Sequence, residues 1–144
     1  MRILGLDFGM KTIGVAVSDE LGWTAQGVEI IRREEENNLK KSIERLKAIC
    51  EEYKVEQIVL GNPKNMNNTL GVRVEKTVAF KKRIKKELKL PVKMWDERLS
   101  TVAAERGLLE ADLSREKRKQ VIDKMAAVFI LQGYLDSIAG KTEE

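Results

Sequence analysis

Four acidic residues stand where strands or helices could carry them to a common site. Asp7 lies inside an apolar segment flanked by glycines. Asp96 and Glu97 follow directly on a second apolar segment, and Asp123 lies in a strongly helical stretch near the end of the chain. Burying an unpaired charge in a strand is costly, so aspartate is uncommon there. The position of Asp7 therefore favours a functional carboxylate over one that caps a turn.

The other three acids leave alternatives open. Strand alternation puts Asp96 and Glu97 on opposite faces, so only one of them is expected to reach a site shared with Asp7. The pattern does not choose between them, because the other acid can be a capping or solvated residue. Asp123 suits a site residue and, equally well, a first-turn acid stabilised by the helix dipole.

A cluster of three such acids would require a counter-charge. Carboxylates about 5 Å apart repel one another by about 3 kcal/mol per pair at an effective dielectric near 20. The sum is comparable with the net stability of a domain, roughly 5–15 kcal/mol. Ligation by oxygen alone selects Mg2+ or Mn2+ over zinc, and a pair of such ions supports phosphodiester hydrolysis.

The residues that the chain lacks narrow the chemistry further. It has no histidine, which excludes Ser-His and Cys-His nucleophile systems and His-ligated zinc. Cys50 is the single cysteine, so the chain has neither an internal disulfide nor a Cys-rich metal site. Its position in a predicted helix favours a small buried hydrophobe over a reactive thiol.

Basic residues are concentrated in two segments. The net charge is +4, but residues 73–89 hold eight basic and two acidic residues, and residues 114–124 hold five basic and two acidic ones. Such clusters suit a nucleic-acid partner, with Lys82 and Lys86 as candidate phosphate contacts. A solvated, lysine-rich helix face explains the charge equally well.

Hydrophobic periodicity predicts strands first and helices later. Residues 2–8 and 13–18 alternate with period two, residues 58–60 are a short apolar run, and the helical segments repeat at three and four residues. The predicted elements are strands at 2–8, 13–18 and 27–32, a helix over 39–53 capped by Asn37 or Asn38, a strand at 58–60, a helix over 71–89, a strand at 92–95, and helices near 100–110 and 116–139.

This order predicts an α/β fold in one domain spanning residues 1–144. Three antiparallel strands precede two right-handed βα crossovers, which gives a five-stranded mixed sheet with helices on both faces. An acid and glycines interrupt the first apolar segment, so we expect a strand of a cytoplasmic protein and not a signal peptide. No apolar run approaches the roughly 20 residues that span a bilayer, so no membrane partner is expected.

Four ordered blocks carry a family resemblance over essentially the whole chain. They are LDFGMKTIGVA at 6–16, GNP at 61–63 with NMN at 65–67, DERLST at 96–101, and DKMAA at 123–127 with ILQGYL at 130–135. The set resembles the YqgF (RuvX) family. Asn62 departs from the pattern, since the family usually has an apolar residue there, but this touches a loop and not the acids.

The resemblance implies a ribonuclease H-like fold close to that of Holliday junction resolvases. It implies a hydrolase that matures the 5′ end of pre-16S rRNA in ribosome biogenesis, acting on the small-subunit precursor. It assigns Asp7, Glu97 and Asp123 as the catalytic acids, and the oxygen ligation argued above makes them the expected ligands of a pair of Mg2+ or Mn2+ ions as the cofactor. Lys11 and Arg98 match positions that would contact substrate phosphates.

Three other functions compete with this interpretation. A Holliday junction resolvase needs a two-fold dimer to cut symmetrically, whereas an rRNA end does not, so the chain is expected to be a monomer or a homodimer. The first hairpin also resembles the phosphate loop of actin-like and sugar-kinase ATPases, which need two such domains. A non-catalytic RNA- or ribosome-binding module would have no use for three converging acids.

Overall fold

The computed structural model describes residues 1–35, 38–62, 71–96 and 115–142; of residues 62, 71–73, 115–124 and 140–142 it describes the backbone only. The predicted strands are confirmed, and so are three of the four predicted helices; the helix predicted near 100–110 falls outside the described residues. The elements are β1 (Arg2–Phe8), β2 (Thr12–Ser18), β3 (Ala25–Arg32), α1 (Lys40–Tyr53), β4 (Val55–Asn62), α2 (Gly71–Leu88), β5 (Val92–Asp96) and α3 (Arg115–Thr142).

The five strands form one mixed sheet in the order β3-β2-β1-β4-β5. The first three strands are antiparallel neighbours, and β4 and β5 add to β1 in parallel. This is the predicted fold class. Because β1, β4 and β5 are parallel, their carboxyl ends meet at one edge of the sheet, which is the place where ligand sites of open α/β sheets gather.

One face of the sheet is covered by α1 and α2. Alternation along β1 points Leu4, Leu6 and Phe8 to this side, where they share a buried cluster with residues of both helices. The ring of Phe8 stacks on that of Phe80 from α2, with centroids 4.1 Å apart. These contacts make this face the larger apolar core of the described chain.

The other face is covered by α3, which approaches the sheet over a row of small residues. Gly5 of β1 pairs with Ala16 of β2, and Ala16 pairs with Gly27 of β3. A Cβ atom added to Gly5 would lie 2.6 Å from the Cβ of Leu131 and 3.1 Å from the carbonyl oxygen of Ala127. Only a residue without a side chain fits between β1 and the helix at this point.

The predicted cap of the first helix is wrong. Helix α1 has Leu39 at its N-cap, and no side chain accepts a hydrogen bond there. The N–H of Asn38 instead donates to the carbonyl of Glu35 at 3.2 Å, so Asn38 belongs to the preceding turn. Among the described helices, none is long and apolar enough to cross a membrane.

The contact at Gly5 gives a prediction for stability. Gly5→Ala should lower the free energy of unfolding by about 1–3 kcal/mol, because the new methyl group overlaps α3. Gly27→Ala is the matched control, since its Cβ would meet Val128 Cγ2 at an ordinary 3.5 Å, and it should stay within about 0.5 kcal/mol of the parent chain. Urea unfolding measures both, and equal stabilities would contradict the close approach.

The burial of Cys50 gives a second prediction. Its side chain is only 8% exposed, as the helical pattern predicted, and burial raises the pKa of its thiol to about 11. At pH 8 the thiolate, which is the reactive form, is therefore about a hundredfold scarcer than in an ordinary thiol. A disulfide reagent should label Cys50 slowly in the native protein and quickly in urea; rapid native labelling would show that the thiol is accessible.

Candidate active site

Asp7 lies one residue before the carboxyl end of β1 and is half-buried. It alternates with Leu6 and Phe8, which point to the α1–α2 face, so its side chain points to the face covered by α3. Its partner in β2 is Gly14, and Gly61 of β4 lies one residue beyond the Leu6–Leu60 pair on the other side. Since glycine has no side chain, both neighbouring strands leave space around the carboxylate.

The direction of α3 follows from two contacts with the sheet. Gln57 of β4 pairs with Ile3, near the amino end of β1. It donates a hydrogen bond to the hydroxyl of Tyr134 of α3 at 3.2 Å. Further along β1, Gly5 lies against Ala127. Helix α3 therefore runs antiparallel to β1, and its earlier residues lie toward the carboxyl ends of the parallel strands.

This direction brings the backbone at Asp123 toward Asp7. Asp123 precedes Ala127 by one helical turn, or about 6 Å along the helix axis. Asp7 follows Gly5 by two residues, or about 6.6 Å along the strand. The two chain segments that carry predicted metal ligands thus meet at the same end of the sheet. The side chain of Asp123 lies outside the described part of the structure.

At the end of β5, the structure shows on which face of the sheet Asp96 lies, whereas Glu97 is outside the described residues. Trp95 packs against Tyr134 of α3, with ring centroids 5.8 Å apart, so it points to the same face as Asp7. Asp96 follows it and pairs with Asn62; alternation therefore directs Asp96 to the opposite face. Glu97 and Arg98, predicted as metal ligand and phosphate contact, lie outside the described residues.

The described side chains do not test the predicted metal triad. Among them no three His, Cys, Asp or Glu residues form a group that could hold a metal ion, but only Asp7 of the three predicted ligands is included. What is described suits a hard cation: a half-buried carboxylate whose neighbours on both adjacent strands are glycines. Oxygen donors of this kind are the ligands that Mg2+ and Mn2+ prefer.

Lys11 and the loop that carries it are held by a residue that sequence reasoning missed. Lys11 is exposed in the β1–β2 loop, residues 9–11. Arg33, just after β3, is only 8% exposed and donates through Nη2 to the carbonyls of Gly9 at 2.8 Å and Met10 at 2.6 Å. Nothing in the sequence separates this arginine from an exposed one, because its partners come from another strand connection.

The two lysines of the basic helix lie apart from Asp7. Lys82 and Lys86 are exposed on α2. That helix packs through Phe80 and Ile84 onto the face opposite to the one Asp7 points to. The sheet therefore separates these lysines from the Asp7 carboxylate, and a ligand that contacts both must pass around its edge.

Comparison with known proteins identifies the family. The RuvX family, described as Holliday junction resolvase, matches residues 1–137. A protein of Clostridium novyi (strain NT) is 61% identical over 138 residues, 96% of this chain and all of the relative. One of Geobacillus sp. (strain WCH70) is 63% identical over 137 residues, 95% of this chain and 99% of the relative. Both bear the name "Putative pre-16S rRNA nuclease".

Solved structures agree on the fold. Thermus thermophilus RuvC in complex with Holliday junction substrate has a TM-score of 0.55 at 17% identity, covering 97% of this chain and 96% of that one. A second Thermus thermophilus RuvC structure has a TM-score of 0.56 at 15% identity, covering 97% of both chains. With the match to residues 1–137, these findings show that the chain belongs to the RuvX family and has the ribonuclease H-like fold.

Proposed function

We propose that this chain is a metal-dependent nuclease that hydrolyses phosphodiester bonds at the 5′ end of pre-16S rRNA. The observation that carries the proposal is the half-buried Asp7 at the carboxyl end of a central parallel strand, facing the backbone of α3 near Asp123. The names of the relatives at about 60% identity support rRNA as the substrate. A small-subunit precursor would then be its partner in the cell.

Asp7, Glu97 and Asp123 would hold the divalent ions. When bound, a pair of Mg2+ or Mn2+ ions neutralises the scissile phosphate and stabilises the charge that develops in the transition state. The orientation of Asp96 toward the other face supports Glu97 as the acid that joins Asp7. A half-buried carboxylate is also less exposed to competing water, which strengthens its attraction for a cation.

The remaining groups of the chain would position the substrate. Lys11 belongs to the loop that directly follows β1, three residues after Phe8 at the strand end. Its ammonium group would contact a phosphate oxygen, and Arg98 would contact another. Lys82 and Lys86 would hold a more distant part of the nucleic acid that passes around the sheet edge, since electrostatic attraction to phosphates needs no contact with the reacting bond.

Cleavage of four-way DNA junctions is the second candidate. It is favoured by the description of the family that matches and by the likeness in fold to RuvC. The two candidates differ in symmetry, because paired cuts in a junction require a two-fold dimer. Parallel assays of a pre-16S rRNA fragment and a synthetic four-way junction, each with Mg2+, Mn2+ or Ca2+, decide between them. Binding of both without cleavage of either would favour a non-catalytic module.

Removing the Asp7 carboxylate should abolish cleavage. We expect Asp7→Asn to lower kcat by about 10³-fold or more, the scale seen when one member of a catalytic set is lost, while folding and nucleic-acid binding persist. Asp136→Asn is the matched control, because Asp136 is exposed on α3 and accepts a bond from Gln132. Asp96→Asn should also retain turnover. Normal turnover of Asp7→Asn in Mg2+ would remove Asp7 from the mechanism.

Charge reversal on α2 should weaken binding without changing the chemical step. Lys82→Glu with Lys86→Glu is expected to raise Kd and to reduce the slope of log Kd against log salt by about one for each lysine that contacts a phosphate. Lys40→Glu with Lys47→Glu makes the same charge change on exposed positions of α1. Equal effects of the two pairs would mean that α2 contributes only net charge.

A further inference from the structure

Arg33 donates most of the hydrogen bonds that the carbonyl groups of the β1–β2 loop accept. Its guanidinium donates to the carbonyls of Gly9 and Met10, and its backbone N–H donates to the carbonyl of Lys11 at 2.9 Å. The next carbonyl, that of Thr12, accepts from the N–H of Gly9 at 2.7 Å. All four carbonyls of residues 9–12 therefore have defined donors, and three of the donors belong to Arg33.

These bonds determine where the loop N–H groups point. In a trans peptide the C=O and N–H bonds are antiparallel, and the described chain has no cis peptide. The carbonyls of Gly9 and Met10 point to the guanidinium, so the N–H groups of Met10 and Lys11 point away from it. Within the described residues, neither N–H donates to a backbone carbonyl.

The guanidinium lies on the opposite face of the sheet from Asp7. Its Cζ is 4.9 Å from the centroid of the Phe8 ring, and Phe8 belongs to the α1–α2 face. Asp7 points to the α3 face. Arg33 therefore holds the loop carbonyls on the α1–α2 side, and the N–H groups of Met10 and Lys11 point away from that side.

We propose that Arg33 is a positioning residue that presents the N–H groups of Met10 and Lys11, together with the Lys11 ammonium group, to a phosphate of the nucleic-acid chain next to the bond that is cut. The inference rests on the proposed nuclease function for the identity of the ligand. Backbone N–H groups and an ammonium group directed to one side form a binding site for a phosphodiester oxygen. Arg33 itself touches neither substrate nor metal; it acts through the loop.

The test compares Arg33→Met and Arg33→Lys with the control Arg45→Met, which removes an exposed arginine paired with Glu29. Steady-state cleavage gives kcat and KM after urea unfolding has shown that each variant is folded under assay conditions. In a second arm, an Asp7→Asn background prevents turnover, and the backbone N–H signals of 15N-labelled protein are followed by NMR as a short single-stranded RNA is added.

In the Asp7→Asn background, we expect the RNA to shift the N–H signals of Met10 and Lys11. When Arg33→Met is added to that background, we expect these two signals not to shift. The loss of loop geometry should lower kcat by about a hundredfold, the scale of a misplacement of about 1 Å, with a smaller change in KM. Arg33→Lys, which keeps the charge and can reach one carbonyl, should recover part of kcat. Arg45→Met should match the parent chain in every measurement.

Two results would overturn the proposal: a folded Arg33→Met with parental kcat and parental N–H shifts, or RNA that binds without moving the two N–H signals. If Arg33→Met does not fold, the same comparison is made with Arg33→Lys, whose parental kcat and shifts would be equally decisive. Failure of the proposed function looks different. The parent chain would then cleave nothing, although the RNA shifts Met10 and Lys11 in an Arg33-dependent way.

Discussion

The close contact between α3 and β1 over Gly5 determines where the first strand and the last helix of the chain meet. A Cβ at this position would lie 2.6 Å from Leu131 Cβ, so the contact exists because the side chain is absent. Asp7 follows Gly5 by two residues and lies on the same face of β1. The backbone of Asp123 precedes Ala127 by one turn of α3. The spacing of these acidic positions is thus a consequence of how the apolar parts of the two elements pack.

The two faces of the sheet differ in role: one holds the larger apolar core, and the other carries the Asp7 carboxylate. The α1–α2 face holds the larger apolar core, in which Phe8 stacks on Phe80. The other face carries small residues and the carboxylate of Asp7. Arg33 connects the two, because its guanidinium lies over Phe8 while the loop that it holds begins directly after β1. A rigid apolar layer on one side can therefore keep polar groups in place on the other.

Much of the fold was predictable, because alternation and helical repeats are local signals. Period-two alternation predicted β1 and β2, short segments predicted the other three strands, and the position of Asp7 predicted a buried acid. The choice between Asp96 and Glu97 was not, since it depends on which face Trp95 shares with α3. The side on which Lys82 and Lys86 lie was equally hidden, because a helix pattern shows which residues face inward but not onto which face of a sheet. The role of Arg33 could not be predicted either, because its hydrogen-bond partners in the β1–β2 loop become its neighbours only in the folded chain.

The packing of α3 antiparallel to β1 has a consequence for the order in which the parts of the candidate site are synthesised. Asp7 is synthesised 116 residues before Asp123. All five strands lie within residues 2–96, so they are synthesised before the helix that covers the Asp7 face. If the proposed function holds, a chain synthesised only as far as residue 96 lacks Glu97 and Asp123 and therefore has an incomplete set of metal-binding acids.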